Sequence, residues 1–329
     1  MGSRAIGIIA NPASGKDVRR LVAKASVFDN REKSAIVRRA LVGALNAGAN
    51  KFAFLEDSHN IAGGAFEELE EKLKLEVTVV PCIKTASALD TIRGATAMRD
   101  QDPIANLILG GDGTSRAFVK GWRDASLLPL STGTNNVFPR LAEATVAGSA
   151  LGALACGGVS PEEVLNKVKI IDIEIEGEAA DIALIDAVVT RDQFIGSRAL
   201  LNADVIERIF LTRAEPTAVG MTSVGGLIQP LSGEEDYGLY LILNNRGKIK
   251  VRAPIAPGLY ESLTVKSIER LDFTDSIEFA GPCVLALDGE REREIQAGQV
   301  VKMSIGRDGP RVLDVKKTME LAASRGFFT

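Results

Sequence analysis

The 329-residue chain carries one histidine, His59, and three cysteines, Cys82, Cys156 and Cys283, all far apart. That scarcity leaves no Cys/His set with metal-ligand spacing, and an odd, scattered trio of thiols is not a disulfide framework. Buried structural thiols are the expectation. A basic excess is absent as well: 39 Lys and Arg stand against 43 Asp and Glu, for a net charge of -4. Nucleic-acid affinity comes mainly from clustered cations, so no nucleic-acid partner is expected. No apolar run approaches the roughly 18 residues of a membrane helix, and "ADIALIDAVV" is broken by Asp186. The opening "MGSRAIGIIANPASGK" is too short in apolar residues for a signal peptide, and Ile6 breaks the myristoylation pattern. A cytoplasmic protein without a membrane partner is expected.

With 46% hydrophobic and 25% charged residues, the composition is that of a globular protein long enough for two domains. The first part alternates apolar runs with helical patterns. "AIGIIA", "KFAFLED", "LEVTVVP", "IANLILG" and "SLLPLS" read as strands, separated by segments such as "REKSAIVRRALVGALNAG" with Ile36, Val37, Ala40 and Leu41 at helical spacing. Repeated βα units with mostly apolar strands predict a parallel sheet covered by helices, with ligands at the carboxyl ends of its strands. A helix rich in small residues follows over about 139–157, and "SPEE" at Ser160 reads as a capped restart with Pro161 at the first helical position. From 168 the pattern changes to short alternating runs such as "KIIDIEIEG", which predict an antiparallel β domain over 168–313, interrupted by a helix near 203–212. The predicted organisation is thus an α/β nucleotide-binding domain over 1–140, a helical connection over 141–167, the β domain, and a C-terminal helix over 314–326 that returns to the first domain.

Three loops draw attention. "LILGGDGTSRAF" places Asp112 between Gly111 and Gly113, with Gly110 before and Thr114 after, where a strand ends and a helix begins. Glycines let a ligand approach the backbone, and helix-start amides face an anion well. An acid there is awkward beside phosphate unless it holds a cation or receives a hydroxyl proton. A simple helix cap in a tight turn explains the same five residues about as well. "ANPASGKD" ends the first strand with Asn11, Pro12, Ser14, Gly15 and Lys16, and "STGTNN" ends the fifth with Thr132, Gly133, Thr134, Asn135 and Asn136. On one edge of a parallel sheet, these loops would form a phosphate-binding cleft. Neither a Walker motif nor a G-x-G-x-x-G fingerprint is present. Other bases, Arg116, Arg191 and Arg198, and the loop residue His59 read first as solvated surface groups.

In that order, and ahead of a β-rich half, the three motifs resemble the NAD kinase and diacylglycerol kinase superfamily, and within it the ATP-NAD kinase-like acetoin catabolism protein X family. The resemblance implies a phosphofructokinase-like α/β domain, a C-terminal β-sandwich, and ATP with Mg²⁺ bound between them. It implies nucleotide contacts from Asn11, Ser14, Gly15, Gly111, Gly113, Thr114, Thr134 and Asn135, and it makes Asp112 the essential acid, as base or metal partner. Asp288 and Glu290 of "LDGERE" match the Asp-Gly-Glu element of the lipid-kinase branch and would join the metal, although Asp-Gly is first of all a hairpin turn. NAD kinases carry Asn-Glu or Asn-Asp where this chain has Asn135-Asn136, and "TSVGG" only partly matches their Ser-x-Gly-Gly element. The expected activity is phosphoryl transfer from ATP to a hydroxyl of a small soluble acceptor, NAD or a polyol-like metabolite, by a homo-oligomer. A nucleotide-binding regulator with little catalysis and a lipid kinase are the alternatives.

Overall fold

The structure is a computed structural model that describes residues 3–14, 29–69, 75–132, 136–191 and 203–329. Its first layer is a seven-stranded sheet. The strands β1 (Ile6–Ala10), β2 (Lys51–Leu55), β3 (Glu76–Val80), β4 (Ala105–Gly110) and β5 (Ser126–Ser131) are all parallel, in the order β3-β2-β1-β4-β5. β1 and β4 are buried along their whole length, which their unbroken apolar runs require of strands covered on both faces. The covering helices include α1 (Asn30–Asn46), α2 (Ile61–Glu67), α3 (Ala88–Arg99), α4 (Asp112–Gly121) and α5 (Ala144–Ala155). α1 starts at Asp29, whose side chain accepts from the Glu32 amide, and it buries Ile36, Val37, Ala40 and Leu41 against the sheet. Its Gly43 lies under α5, where a Cβ would come within 2.0 Å of the Thr145 carbonyl oxygen. The small residues of α5 thus bring two helix backbones into contact.

The short helix α6 (Pro161–Val164) leads into β6 (Leu165–Lys167), and the β unit opens with β7 (Ile170–Ile175). In that unit β8 (Asp181–Ala183) and β9 (Asp186–Thr190) come first, then β10 (Ile206–Leu211), α7 (Met221–Gly226) and β11 (Tyr237–Leu243). The strands β12 (Ile249–Ala256), β13 (Leu259–Asp272), β14 (Ser276–Ala280), β15 (Cys283–Leu287), β16 (Glu290–Ile295) and β17 (Val300–Gly306) complete it. They form two antiparallel sheets, β12-β13-β11-β10-β9-β15-β16 and β14-β17-β7-β8. Ile171, Ile173, Val189, Phe210, Leu285 and Met303 fill the core between them, so the unit is a β-sandwich.

Two elements differ from the sequence reading. Residues 206–211, expected within a helix, form β10, preceded by a single 3-10 turn at Ala203–Val205. Ile206, Ile209 and Phe210 stand at helical spacing, but β10 runs between β9 and β11 with both faces covered, a setting that hides the two-residue period. The expected β unit over 168–313 also ends early. Arg311–Leu313 is β18, which pairs in parallel with β5 and antiparallel with β6, so both short strands extend the first sheet. The closing helix α8 (Val315–Ser324) then packs beside α5 and α6.

Candidate functional site

β1, β4 and β5 are neighbours in the sheet, so the loops that leave their carboxyl ends lie side by side. Asn11 ties the first loop to the second. Its Nδ2 donates to Thr114 Oγ1 at 2.8 Å, while its Oδ1 accepts the Ala13 amide at 2.9 Å. Ser14 Oγ donates to the Asn11 carbonyl at 2.8 Å and accepts from Thr132 Oγ1 at 3.2 Å, which adds the third loop. Asn136 donates to Ser131 Oγ at 2.8 Å, and its Oδ1 stands 2.9 Å from where a Cβ of Gly111 would lie. Thr114 folds back over Gly110, where a Cβ would fall 2.5 Å from its Oγ1. Five residues of the expected set, Gly15, Lys16, Gly133, Thr134 and Asn135, lie outside the described residues. The others meet at one edge of the sheet.

Asp112 is the first residue of α4, with Gly111 as N-cap. Its Oδ1 accepts the Phe138 amide at 2.8 Å and the Val137 amide at 3.1 Å, and Oδ2 accepts the Val137 amide at 3.2 Å. Those bonds reach across to the chain beyond β5 and fix the carboxylate's orientation. Beside it, Ser131, Asn136, Val137 and Arg140 face Glu215, Thr217 and Val219 of the β unit across a cleft of about 210 Å³. Arg213 lies behind this wall, 8% exposed, with Nη1 3.7 Å from Glu215 Oε1. Burial lowers its affinity for its proton, against the pull of Glu215 and Asp112.

The β unit also reaches the glycine turn from the other side. Asp288 and Gly289, both left-handed at φ 49° and 80°, join Leu287 to its partner Glu290 as a two-residue hairpin turn. The turn reading of Asp-Gly therefore stands, with an added duty for Asp288. The chain changes sheets between β8 and β9, and the Asp288 carboxylate accepts the amides of Leu184, Ile185 and Asp186 at 2.7 to 3.2 Å. Desolvation pushes this carboxyl up, against Arg116 and those three amides. A carboxylate so enclosed does not fit a metal ligand. Glu290, by contrast, is half exposed and packs on Gly113, where a Cβ would fall 2.5 Å from its Oε1. Among the described residues, no three Asp, Glu, His or Cys side chains gather as a metal cage. Among the described residues, Asp112 and Glu290 are the carboxylates of the expected set that stand beside the glycine turn.

Three cations were not legible as they stand. Arg116 is 3% exposed instead of solvated, with Nη1 3.4 Å from Asp181 and Nε 3.8 Å from Asp288. Its signal was its spacing, one helical turn after Asp112. Lys33 is fully buried and lies three residues before Ile36 on the inward face of α1. Arg213 is the third. Arg191 stays near the surface, 3.2 Å from Glu207, and Arg198 is outside the described residues. His59 Nδ1 lies 3.0 Å from Ser58 Oγ in an exposed loop, and Thr222 and Ser223 of "TSVGG" are buried in α7.

A parallel α/β layer joined to a β-sandwich is an architecture that a solved kinase structure shares. The structure of yeast NADH kinase complexed with NADH superposes with a TM-score of 0.55 and 11% identity, over 98% of this chain and 87% of that one. A diacylglycerol kinase-like structure from Bacillus anthracis covers 95% of this chain at 11% identity, with a TM-score of 0.49. At 11% identity the likeness to the NADH kinase structure is one of fold. Sequence carries the narrower assignment: residues 169–308 match the acetoin catabolism protein X C-terminal domain. The acetoin catabolism protein X of Cupriavidus necator is 33% identical, across 96% of this chain and 92% of its own length. The chain belongs to the acetoin catabolism protein X family.

Proposed function

We propose that this protein is a kinase that moves the γ-phosphoryl group of ATP to a hydroxyl of a small soluble acceptor. The observation that carries the reading is the position of Asp112, clamped by the Val137 and Phe138 amides at the junction of the three loops and beside the cleft. Phosphoryl transfer asks mainly for positioning and charge neutralisation. In this scheme Asn11, Ser14 and Thr114, with the glycine turn, line the phosphate side. Asp112 orients the acceptor hydroxyl and takes its proton as the new O–P bond forms and the bond to ADP breaks. Asp112 and Glu290 would hold a Mg²⁺ ion there, which would supply neutralisation of the phosphate charge. The fold shared with NADH kinase supports nucleotide use.

The cleft is half open and holds about 210 Å³, room for a polyol or hydroxyketone. Its walls offer the Thr217 and Ser131 hydroxyls, the Asn136 amide, and charges of both signs from Arg140 and Glu215. The relative's name points the same way, to the catabolism of a small hydroxyketone.

An ATP-consumption screen with Mg²⁺ across polyols, hydroxyketones, sugars, NAD and dispersed diacylglycerol tests the reading. Asp112→Asn is expected to lower turnover by about a hundredfold or more, the range of a lost general base, while circular dichroism stays unchanged. Near-parental turnover in that variant overturns the mechanism. A second reading, nucleotide-dependent regulation with little catalysis, is favoured by the engagement of Asp112 with two amides. It predicts ATP binding by calorimetry with no product from any acceptor.

A further inference from the structure

Lys33 has no part in the scheme above, yet it is among the most deeply buried side chains, with 0% exposure. A lysine out of water is tolerated only where its protons meet acceptors. Its Nζ lies 3.0 Å from the Asn11 carbonyl, 3.0 Å from the Pro12 carbonyl, 2.7 Å from the Ser14 carbonyl and 3.0 Å from Asn30 Oδ1. Three carbonyls of one four-residue loop therefore turn toward one ammonium at the base of α1. Within the same loop the Ala13 amide donates to Asn11 Oδ1 and the Ser14 amide to the Asn11 carbonyl, so the turn is closed on itself.

We infer that Lys33 is the positioning residue of the Asn11–Ser14 loop and prepares it for a polyphosphate anion, an inference that rests on the nucleotide-binding reading. Carbonyl oxygens facing the cleft would repel phosphate. Drawn down onto Lys33, they turn away from the side on which the Asn11 carboxamide meets Thr114 and the Ser14 hydroxyl meets Thr132. The ammonium also sets a positive charge beneath the loop, in a region where charge is weakly screened.

The test uses the full chain, with inorganic tripolyphosphate and ATP with Mg²⁺ as probes. Lys33→Met keeps the length and removes the charge. It is expected to weaken both ligands by about tenfold or more and to reduce the dependence of affinity on salt, which a purely structural role would leave alone. Lys33→Arg, which restores the charge, is expected to recover the salt dependence. A folded Lys33→Met with affinity within about twofold of the parent and the same salt dependence overturns the inference. If Lys33→Met does not fold, Lys33→Arg decides: parental salt dependence supports the inference and a lost one overturns it. Should the parent bind neither probe, the nucleotide reading fails, and amide hydrogen exchange judges Lys33 alone. Faster exchange at Ala13 and Ser14 in Lys33→Met than in Lys33→Arg supports the loop role, and equal exchange in the two refutes it.

Discussion

At the scale of single residues, the charges that matter most here are those whose setting the sequence conceals. The place of Asp112 among three converging loops was legible because glycines flank it and two other polar loops end neighbouring strands. Lys33 and Arg116 were not, because Lys and Arg on helices are nearly always solvated, and only the inward register of α1 and α4 shows otherwise. Asp288 is the sharpest case. Its dipeptide announces a hairpin turn, and that turn forms, but the sequence gives no sign that its carboxylate would collect three amides at a strand crossover 102 to 104 residues upstream. Replacing it by Ala would strand those N–H groups in the interior and deprive Arg116 of an anion. Asp288→Ala is expected to destabilise the protein by about 3–5 kcal/mol, and Asp288→Asn by less, because the amide oxygen still accepts. Urea unfolding of the two variants measures this, and equal midpoints for Asp288→Ala and the parent would show that the crossover does not depend on the carboxylate.

At the scale of elements, the parallel sheet was readable because its strands are continuous apolar runs and each is followed by a helical pattern or a turn signal. The β-sandwich was readable as a class but not strand by strand. "DIALIDAVVT" looks like one strand, yet β8 and β9 lie in different sheets, and the break at Leu184 and Ile185 depends on Asp288 and on Thr212, whose Oγ1 donates to the Leu184 carbonyl at 2.7 Å. Such partners are distant in sequence, and no local period encodes them. The start of α6 shows the opposite case, a local signal with a distant consequence. Glu163 accepts the Ser160 amide at 3.0 Å and also holds Arg325 at the end of α8. Hydrogen bonds from Arg325, then from the Ser160 amide, hold its carboxyl down to about 2, against about 4.3 in an unfolded chain. A depressed acid stabilises the fold above its unfolded value, and that contribution fades as pH falls from about 4 toward 2. The parent is therefore expected to lose more stability between pH 6 and pH 3 than Glu163→Gln does, as judged by denaturant midpoints. Equal losses would mean that the pair does not fasten α8 to α6.

At the scale of the whole molecule, the question is whether the two halves of the candidate site move as one. Domains within a chain commonly meet through modest, polar interfaces and shift against each other. Here α4, the helix that begins at Asp112, is bound to the β unit from its first turn to its last. Phe118 shares a core with Ile182, Leu184 and Ile185. Asp181, fully buried, takes Lys120 at 2.9 Å and Arg116 at 3.4 Å from α4, and Arg293 at 3.2 Å from β16. Burial alone would push the Asp181 carboxyl up, but Lys120, the Ile182 amide and Arg116 outweigh it and hold the group below the ordinary carboxylate range. The helix that follows the glycine turn is thus attached to the sandwich as well as to its own sheet, and Glu290 packs on Gly113 beside that attachment. Removing one charge from the centre of the cluster leaves three cations facing a neutral amide. Asp181→Asn is expected to lower stability by about 3–5 kcal/mol and to speed hydrogen exchange through the first turns of α4 more than in α1, which packs on the far helix α5. It is also expected to lower ATP turnover at temperatures where the variant is still folded, because Asp112 then loses its fixed relation to the wall formed by Glu215 and Thr217. If exchange rises uniformly, or turnover per folded molecule is unchanged, the cluster acts on general stability and the two halves of the site are aligned by the shared apolar core alone.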